Sequence, residues 1–392
     1  MNAGEREAKY FYHTYKRLPL EIDRGEGVYL IARDGTRYLD MFAGLAVNAL
    51  GYGHPKLLQA MAEQGRKYIH LSNYYLQGPQ IELAELLVTH TGFRRVFFSN
   101  SGTEAIEGAI KIARKWGSSR GKGEIVSFTN SFHGRTMGSL SMMDRTKYKE
   151  GFGPFLPNFR IVEFNDAGAL RAAITQQTAA VVLEFIQGEG GIRPVTREVV
   201  AELGSLRKQY GFLLVADEIQ SGVGRTGKFF GYEHFKVQPD IVVLAKPIGG
   251  GLPLGAILGS ATVADVLEPG MHGTTFGGNP VACAMGVVLL REIMENGIML
   301  NAETMGHRLR SDLLSLKNKF PSIVKEVRGC GLMLGMELTR ECQPVVDAMR
   351  EKKILINGTD QTVLRFLPPL IVEESHIDTT IAALSEILGQ IT

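Results

Sequence analysis

Several residue types able to do chemistry stand directly after short apolar runs in this sequence. Ile241–Leu244 leads to Lys246 in LAKPIGGGLPLGA, and Phe212–Ala216 leads to Asp217 in ADEIQSGVGRTGK. Ala180–Phe185 carries Glu184 and continues into QGEGG. Arg95–Phe98 runs into SNSGTEA, and Glu124–Phe128 leads to SFHGRT, which holds Phe132 and Arg135. A lysine, a carboxylate, a hydroxyl-flanked glycine opening a helix and an aromatic ring are what pyridoxal phosphate requires. The lysine meets its aldehyde. An acid keeps the pyridine nitrogen protonated so that the ring acts as an electron sink. The helix N-terminus at Ser101-Gly102-Thr103 offers free N–H groups and a dipole that favour phosphate.

Each residue also has a plainer reading. Ser101-Gly102-Thr103-Glu104 fits a capping box. Asp217 could end a strand as a turn residue, and Lys246 could be solvated, although an apolar strand and a glycine-rich loop flank it. Phe132 could belong to the core, His133 could be a satisfied histidine, and Arg135 could pair with a surface carboxylate. Glu184, inside an apolar run, needs a partner. Gly222 to Lys228 matches the start of a phosphate-loop pattern, but Phe229 stands where a Mg²⁺-binding hydroxyl is required. The chemistry of that stretch therefore falls to Asp217.

The elements that must position these residues alternate strand and helix. Candidate strands are Arg95–Phe98, Glu124–Phe128, Arg160–Phe164, Ala180–Phe185, Phe212–Ala216, Ile241–Leu244 and Gly255–Gly259. Helical spacing joins Ala105, Ile106, Ala109, Ile110 and Ala113, and again Val199, Val200, Leu203 and Leu206. This pattern predicts an α/β fold with a mostly parallel, doubly wound sheet. In such sheets ligands bind beyond the carboxyl ends of the strands. VYLIARDGTRYLD reads as a hairpin with Asp34-Gly35 at its turn. The expected organisation is an N-terminal arm over 1–45, a large cofactor-binding domain over 46–290, and a smaller α/β domain over 291–392 joined by the arm.

The 392 residues include 44% hydrophobic and 21% charged residues, with a net charge of +2, which gives no general attraction to nucleic acid or anionic membrane. Cys283, Cys330 and Cys342 form an odd set without C-x-x-C spacing, so the expectation is a reducing cytoplasm and no zinc site. Neither a signal peptide nor a membrane span is expected. Metal-hydrolase, serine-hydrolase and nucleic-acid motifs are missing from the sequence.

The segments GEGVYLIARDGTRYLD, AVNALGYGHP, FFSNSGTEAIEGAIKIAR, SFHGRT, IQGEGG, ADEIQSGVGRTGK, LAKPIGGGLPLGA, HGTTFGGNP and LRFLPPLIV cover nearly the whole chain. Together they resemble the class III (ω-) aminotransferases, fold type I pyridoxal-phosphate enzymes, and most closely the acetylornithine group. The resemblance implies that Lys246 binds the cofactor and shuttles a proton, while Asp217 holds the pyridinium nitrogen. Ile219 and Phe132 would cover the two ring faces, and Gln220 would reach the ring hydroxyl. Ser101, Gly102 and Thr103 would hold the phosphate, with Thr275 of a neighbouring subunit, in a homodimer with shared sites. Arg135, assisted by Thr274, would take the donor α-carboxylate. Arg365 would take that of the keto acid, with Glu184 covering it in the other half-reaction.

The implied reaction is ping-pong transfer of the terminal amine of N-acetylornithine to 2-oxoglutarate, a step of arginine biosynthesis. Ornithine aminotransferases tend to carry tyrosine where Gly44 stands, so Gly44 favours an acylated α-amine. Ornithine, succinylornithine, succinyldiaminopimelate and 4-aminobutyrate remain alternative donors, and a catalytically silent binding relative is an alternative role. Two positions depart from the family pattern. Pro247 follows the lysine and is expected to push it toward extended backbone. Phe185 stands where proline is usual after Glu184.

Overall fold

The computed structural model describes residues 3–391. Among these, seven strands form the central sheet: β1 (Arg95–Ser99), β2 (Glu124–Phe128), β3 (Phe159–Val162), β4 (Thr178–Leu183), β5 (Leu213–Asp217), β6 (Ile241–Leu244) and β7 (Gly255–Gly259). Their order is β1-β7-β6-β5-β4-β2-β3. Strands β2 to β6 pair in parallel, and β7 runs against both β6 and β1. The mostly parallel α/β sheet expected from the sequence is therefore present.

Both faces of the sheet are covered, which is why its strands are apolar at nearly every position. On β5, Leu213 and Val215 pack in one core with Ile106, Ala109 and Ala113 of helix α1 (Gly102–Ser118). Leu214 and Ala216 join another core, with Val199, Leu203 and Leu206 of helix α2 (Arg197–Tyr210). Each buried aliphatic side chain contributes about 1.5–3 kcal/mol relative to exposure. Strand ends differ slightly from expectation. β4 stops at Leu183, leaving Glu184 just beyond it, and β5 extends to Asp217, which pairs in register with Val243.

Ile22–Glu26, Tyr29–Ala32 and Arg37–Asp40 form an antiparallel meander, with Asp34-Gly35 at the second turn. Gly35 has φ +85°, and the Thr36 amide donates to Asp34 Oδ1 at 2.9 Å. Ile354–Leu355 adds to Arg37–Asp40 in parallel and so ties the N-terminal segment to the C-terminal part. A further antiparallel sheet has the order Val324–Cys330, Met333–Leu338, Val363–Phe366, Asn357–Thr359. The helix Pro280–Glu295 carries the chain past residue 290, with Leu289, Leu290 and Ile293 buried. No described helix is long and apolar enough to cross a membrane.

Candidate active site

The carboxyl ends of β1, β2, β4, β5 and β6 meet around a cavity of about 440 Å³. From β1 the chain turns into α1. Ser101 is the N-cap, in extended conformation, and accepts from the Glu104 amide at 3.4 Å. The Glu104 carboxylate turns back to Asn100, bonding its backbone N at 2.7 Å and its Nδ2 at 2.9 Å. The capping interaction is therefore real, and the first-turn amides still face the cavity without intrahelical acceptors. Gly102 lets Ile219 approach closely: a Cβ on it would lie 2.7 Å from Ile219 Cδ1. The Thr103 hydroxyl is already engaged, 2.9 Å from Thr136 Oγ1 and 3.0 Å from Ser139 Oγ.

Asp217, at the end of β5, is 3% exposed. Its Oδ1 accepts from the Ile219 amide at 3.1 Å, and its Oδ2 lies 2.7 Å from His133 Nδ1. Burial opposes a charge on His133, but the hydrogen bond and charge of Asp217, with the charge of Glu184, outweigh it and raise the imidazole pKa. His133 is thus a partner of the central acid. The sequence reading of a satisfied histidine named no partner, because nothing local links residues 133 and 217.

Lys246 follows β6. Burial, outweighing the nearby carboxylates Asp217, Glu189 and Glu184, lowers its pKa. Its backbone corrects the expectation drawn from Pro247. Lys246 has φ +51° and is not extended; the extended residue is Ala245, and Lys246–Gly249 forms a short 3₁₀ turn. A non-glycine residue held there stores about 1–3 kcal/mol of strain.

Ile219, Gln220, Phe132 and Arg135 all line the same cavity. The Arg135 guanidinium sits 3.7 Å from the Tyr148 ring centroid and 5.6 Å from that of Phe132. Gln220 Oε1 is buried without a hydrogen-bond partner. These features fit pyridoxal phosphate. A half-buried amine, a buried carboxylate, an orphan amide oxygen, a glycine-relieved helix N-terminus and two apolar side chains converge on one cavity.

The carboxylate switch differs from expectation. Arg365, 2% exposed, donates from Nη1 to Glu189 Oε1 at 2.5 Å. Glu184 does not cover it. Both Glu184 oxygens are committed to backbone, accepting from the Phe132 amide at 2.9 Å and the Gly188 amide at 3.1 Å. Burial pushes the Glu184 pKa up to about 7. For Glu189, burial is outweighed by the charge and hydrogen bond of Arg365, then by Lys246 and Arg145, and its pKa falls. The sequence signal was available, since QGEGG places a second glutamate in a glycine turn. The residue was missed because the resemblance was carried onto Glu184 instead.

Thr274 and Thr275 do not line this cavity. They stand in a separate groove of about 910 Å³ with Asn73, Lys111 and His272. Thr274 Oγ1 accepts from the Gly277 amide at 3.1 Å and from Asn100 Nδ2 at 3.3 Å, so it lies one residue from the cavity wall. The described residues include no cluster of three or more His, Cys, Asp or Glu able to hold a metal.

Residues 10–388 match the family Aminotransferase class-III. An acetylornithine aminotransferase of Aquifex aeolicus is 45% identical over 97% of this chain and all of its own. A solved ornithine aminotransferase of Toxoplasma gondii, with partial occupancy of PLP at its active site, superposes with a TM-score of 0.93 at 32% identity, covering 98% of this chain and 93% of that one. A solved acetylornithine aminotransferase of Elizabethkingia anophelis gives 0.88 at 32% identity, covering 98% of both chains.

Proposed function

The chain belongs to the class III aminotransferases, and within that family we propose that it moves the terminal amine of N-acetylornithine to 2-oxoglutarate. It is an aminotransferase with pyridoxal phosphate as cofactor. The observation that carries the reading is the convergence of Lys246, Asp217 and the α1 N-terminus on one cavity, whose lining residue Glu189 is paired with Arg365.

When bound, the cofactor supplies an electron sink for the bond at the amine-bearing carbon. Lys246 would hold it, and its Nζ would serve as the base that carries the proton at the amine-bearing carbon. The depressed pKa gives Nζ a larger neutral fraction, which a base needs. Asp217, fixed by His133 and the Ile219 amide, would hold the ring nitrogen. Ile219 and Phe132 would orient the ring, Gln220 would serve its hydroxyl, and Ser101, Gly102 and Thr103 would hold the phosphate. Arg135 takes the donor α-carboxylate. Arg365 takes the α-carboxylate of the keto acid when the Glu189 side chain withdraws, so one pocket serves both halves of a ping-pong cycle.

The exposed Thr275 supports a homodimer in which this residue reaches the partner's phosphate site and Thr274 assists the partner's Arg135. Tyr74, Leu76 and Phe276, exposed at 96%, 92% and 60%, supply apolar surface for such a contact. Gly44, with φ +61° and an exposed position, leaves no side chain to meet a free α-amine, which favours an acylated donor. The test is kcat/KM for acetylornithine against ornithine, succinylornithine and 4-aminobutyrate. A clear preference for acetylornithine supports the assignment, and preference for another amine replaces the donor.

A further inference from the structure

Arg365 is held from two sides, and only one of them is a carboxylate. Its strand, Val363–Phe366, pairs antiparallel with Asn357–Thr359, and Asn357 stands directly opposite Arg365. Asn357 Oδ1 accepts from Nε at 3.0 Å and from Nη2 at 2.5 Å. Nη1 serves Glu189 Oε1 at 2.5 Å and the Gly188 carbonyl at 3.5 Å. Thr359, on the same short strand, donates to the Glu189 carbonyl at 2.9 Å, and Arg145 donates to that carbonyl at 2.6 Å. The backbone of Glu189 is therefore pinned while its side chain ends on Arg365.

We propose that Asn357 is the positioning residue that keeps Arg365 aimed and its charge free when Glu189 leaves. A guanidinium has five donors in a rigid fork. Asn357 occupies one edge with a neutral oxygen, so departure of Glu189 exposes the other edge without loss of orientation. Because the tether carries no charge, the guanidinium keeps its full attraction for the substrate carboxylate that replaces Glu189. An acid at position 357 would quench it in both halves of the cycle. The strand 357–359 thus makes the exchange a side-chain rotation of Glu189 between fixed supports.

This rests on the reading of Arg365 as the acceptor-binding group, so the test separates the two. Glutarate, a dicarboxylate that cannot be aminated, is titrated calorimetrically into the holoenzyme, and KM is measured for both substrates. In Asn357→Asp, glutarate Kd and 2-oxoglutarate KM should rise roughly tenfold to a hundredfold, the worth of a charge-assisted hydrogen bond. The acetylornithine KM should change less than about threefold. Asn357→Ala should weaken glutarate less than Asn357→Asp, and Asn357→Ser, which keeps an acceptor oxygen, should recover part of the loss. If Asn357→Asp does not fold, the contrast between Ala and Ser carries the test. Equal losses for both substrates, or no change for glutarate, would overturn the positioning role of Asn357, whereas failure of the wild type to bind glutarate would overturn the reading of Arg365 and the proposal with it. Failure to use acetylornithine would instead overturn the donor, leaving the glutarate result to judge Asn357.

Discussion

At one end of the cavity Asp217 closes a central strand with a neighbour on each side, and its two oxygens are met by a backbone amide and a buried imidazole. Behind the cavity-lining Glu189, Arg365 lies beside an edge strand of a smaller sheet, and that glutamate, one of its partners, projects from a glycine turn. The first arrangement fixes a group against a cofactor that stays. The second lets an arginine exchange an internal carboxylate for one brought by a substrate. A buried pair resists loss of a single partner, because a lone buried charge costs several kcal/mol. Exchange is feasible only where an incoming carboxylate replaces the outgoing one.

The largest effect should come from removing the mobile group of the fixed end. Lys246→Ala is expected to lower kcat by at least about 10²–10⁴-fold, the usual worth of a positioned acid–base, with additional loss of the tether to the cofactor. Substantial activity in this variant would break the contrast at its fixed end. Next is the switchable end. Glu189→Ala should leave Arg365 permanently open and shift the ratio of kcat/KM for 2-oxoglutarate over acetylornithine by about tenfold toward the keto acid. Glu184→Gln should leave that ratio nearly unchanged while lowering the melting temperature, because its oxygens hold two backbone amides. The opposite ranking would restore Glu184 as the switch.

The fixed end was legible in the sequence and the switchable end only in part. Asp217, Lys246 and Ser101-Gly102-Thr103 each follow an apolar strand at once, so local periodicity and the geometry of parallel sheets bring them together. His133 and Glu189 find their partners 84 and 176 residues away. No periodicity encodes such pairings. The resemblance put the switch on Glu184, whereas Glu189, in the glycine turn beyond β4, is the carboxylate that meets Arg365. The positive φ of Lys246 was also hidden, since proline normally biases its predecessor the other way.

Smaller changes sharpen the same contrast. Gly102→Ala would place a methyl 2.7 Å from Ile219 Cδ1, a side-chain tip that can yield. Cofactor affinity should therefore fall by only about three- to tenfold, corresponding to about 1 kcal/mol of overpacking, readable by equilibrium dialysis. The smallest effect concerns pH. Burial raises the Glu218 pKa to about 7, although Ser221 and the amides of Gly231 and Tyr232 hydrogen-bond it. A carboxyl whose folded pKa is raised keeps its proton in the folded state after the unfolded chain has lost it. Its contribution to stability therefore declines as pH rises from about 4.3, the unfolded value, to about 7, and is constant above. His133 acts in an adjoining window: its raised pKa stabilises fully below about 6.5, and that stability is lost as pH passes its folded value. Melting temperatures of Glu218→Gln across this range should fall less steeply than those of the wild type. An unchanged slope would remove Glu218 from the account.

The most direct measurement is the visible spectrum of the purified holoenzyme during titration with acetylornithine, without keto acid. The band of lysine-bound pyridoxal phosphate should bleach stoichiometrically with acetylornithine, far less with ornithine or 4-aminobutyrate, and return on adding 2-oxoglutarate. No visible band after addition of pyridoxal phosphate, or a band that acetylornithine leaves unchanged, would contradict the assignment of this cavity as the site of amino transfer from acetylornithine.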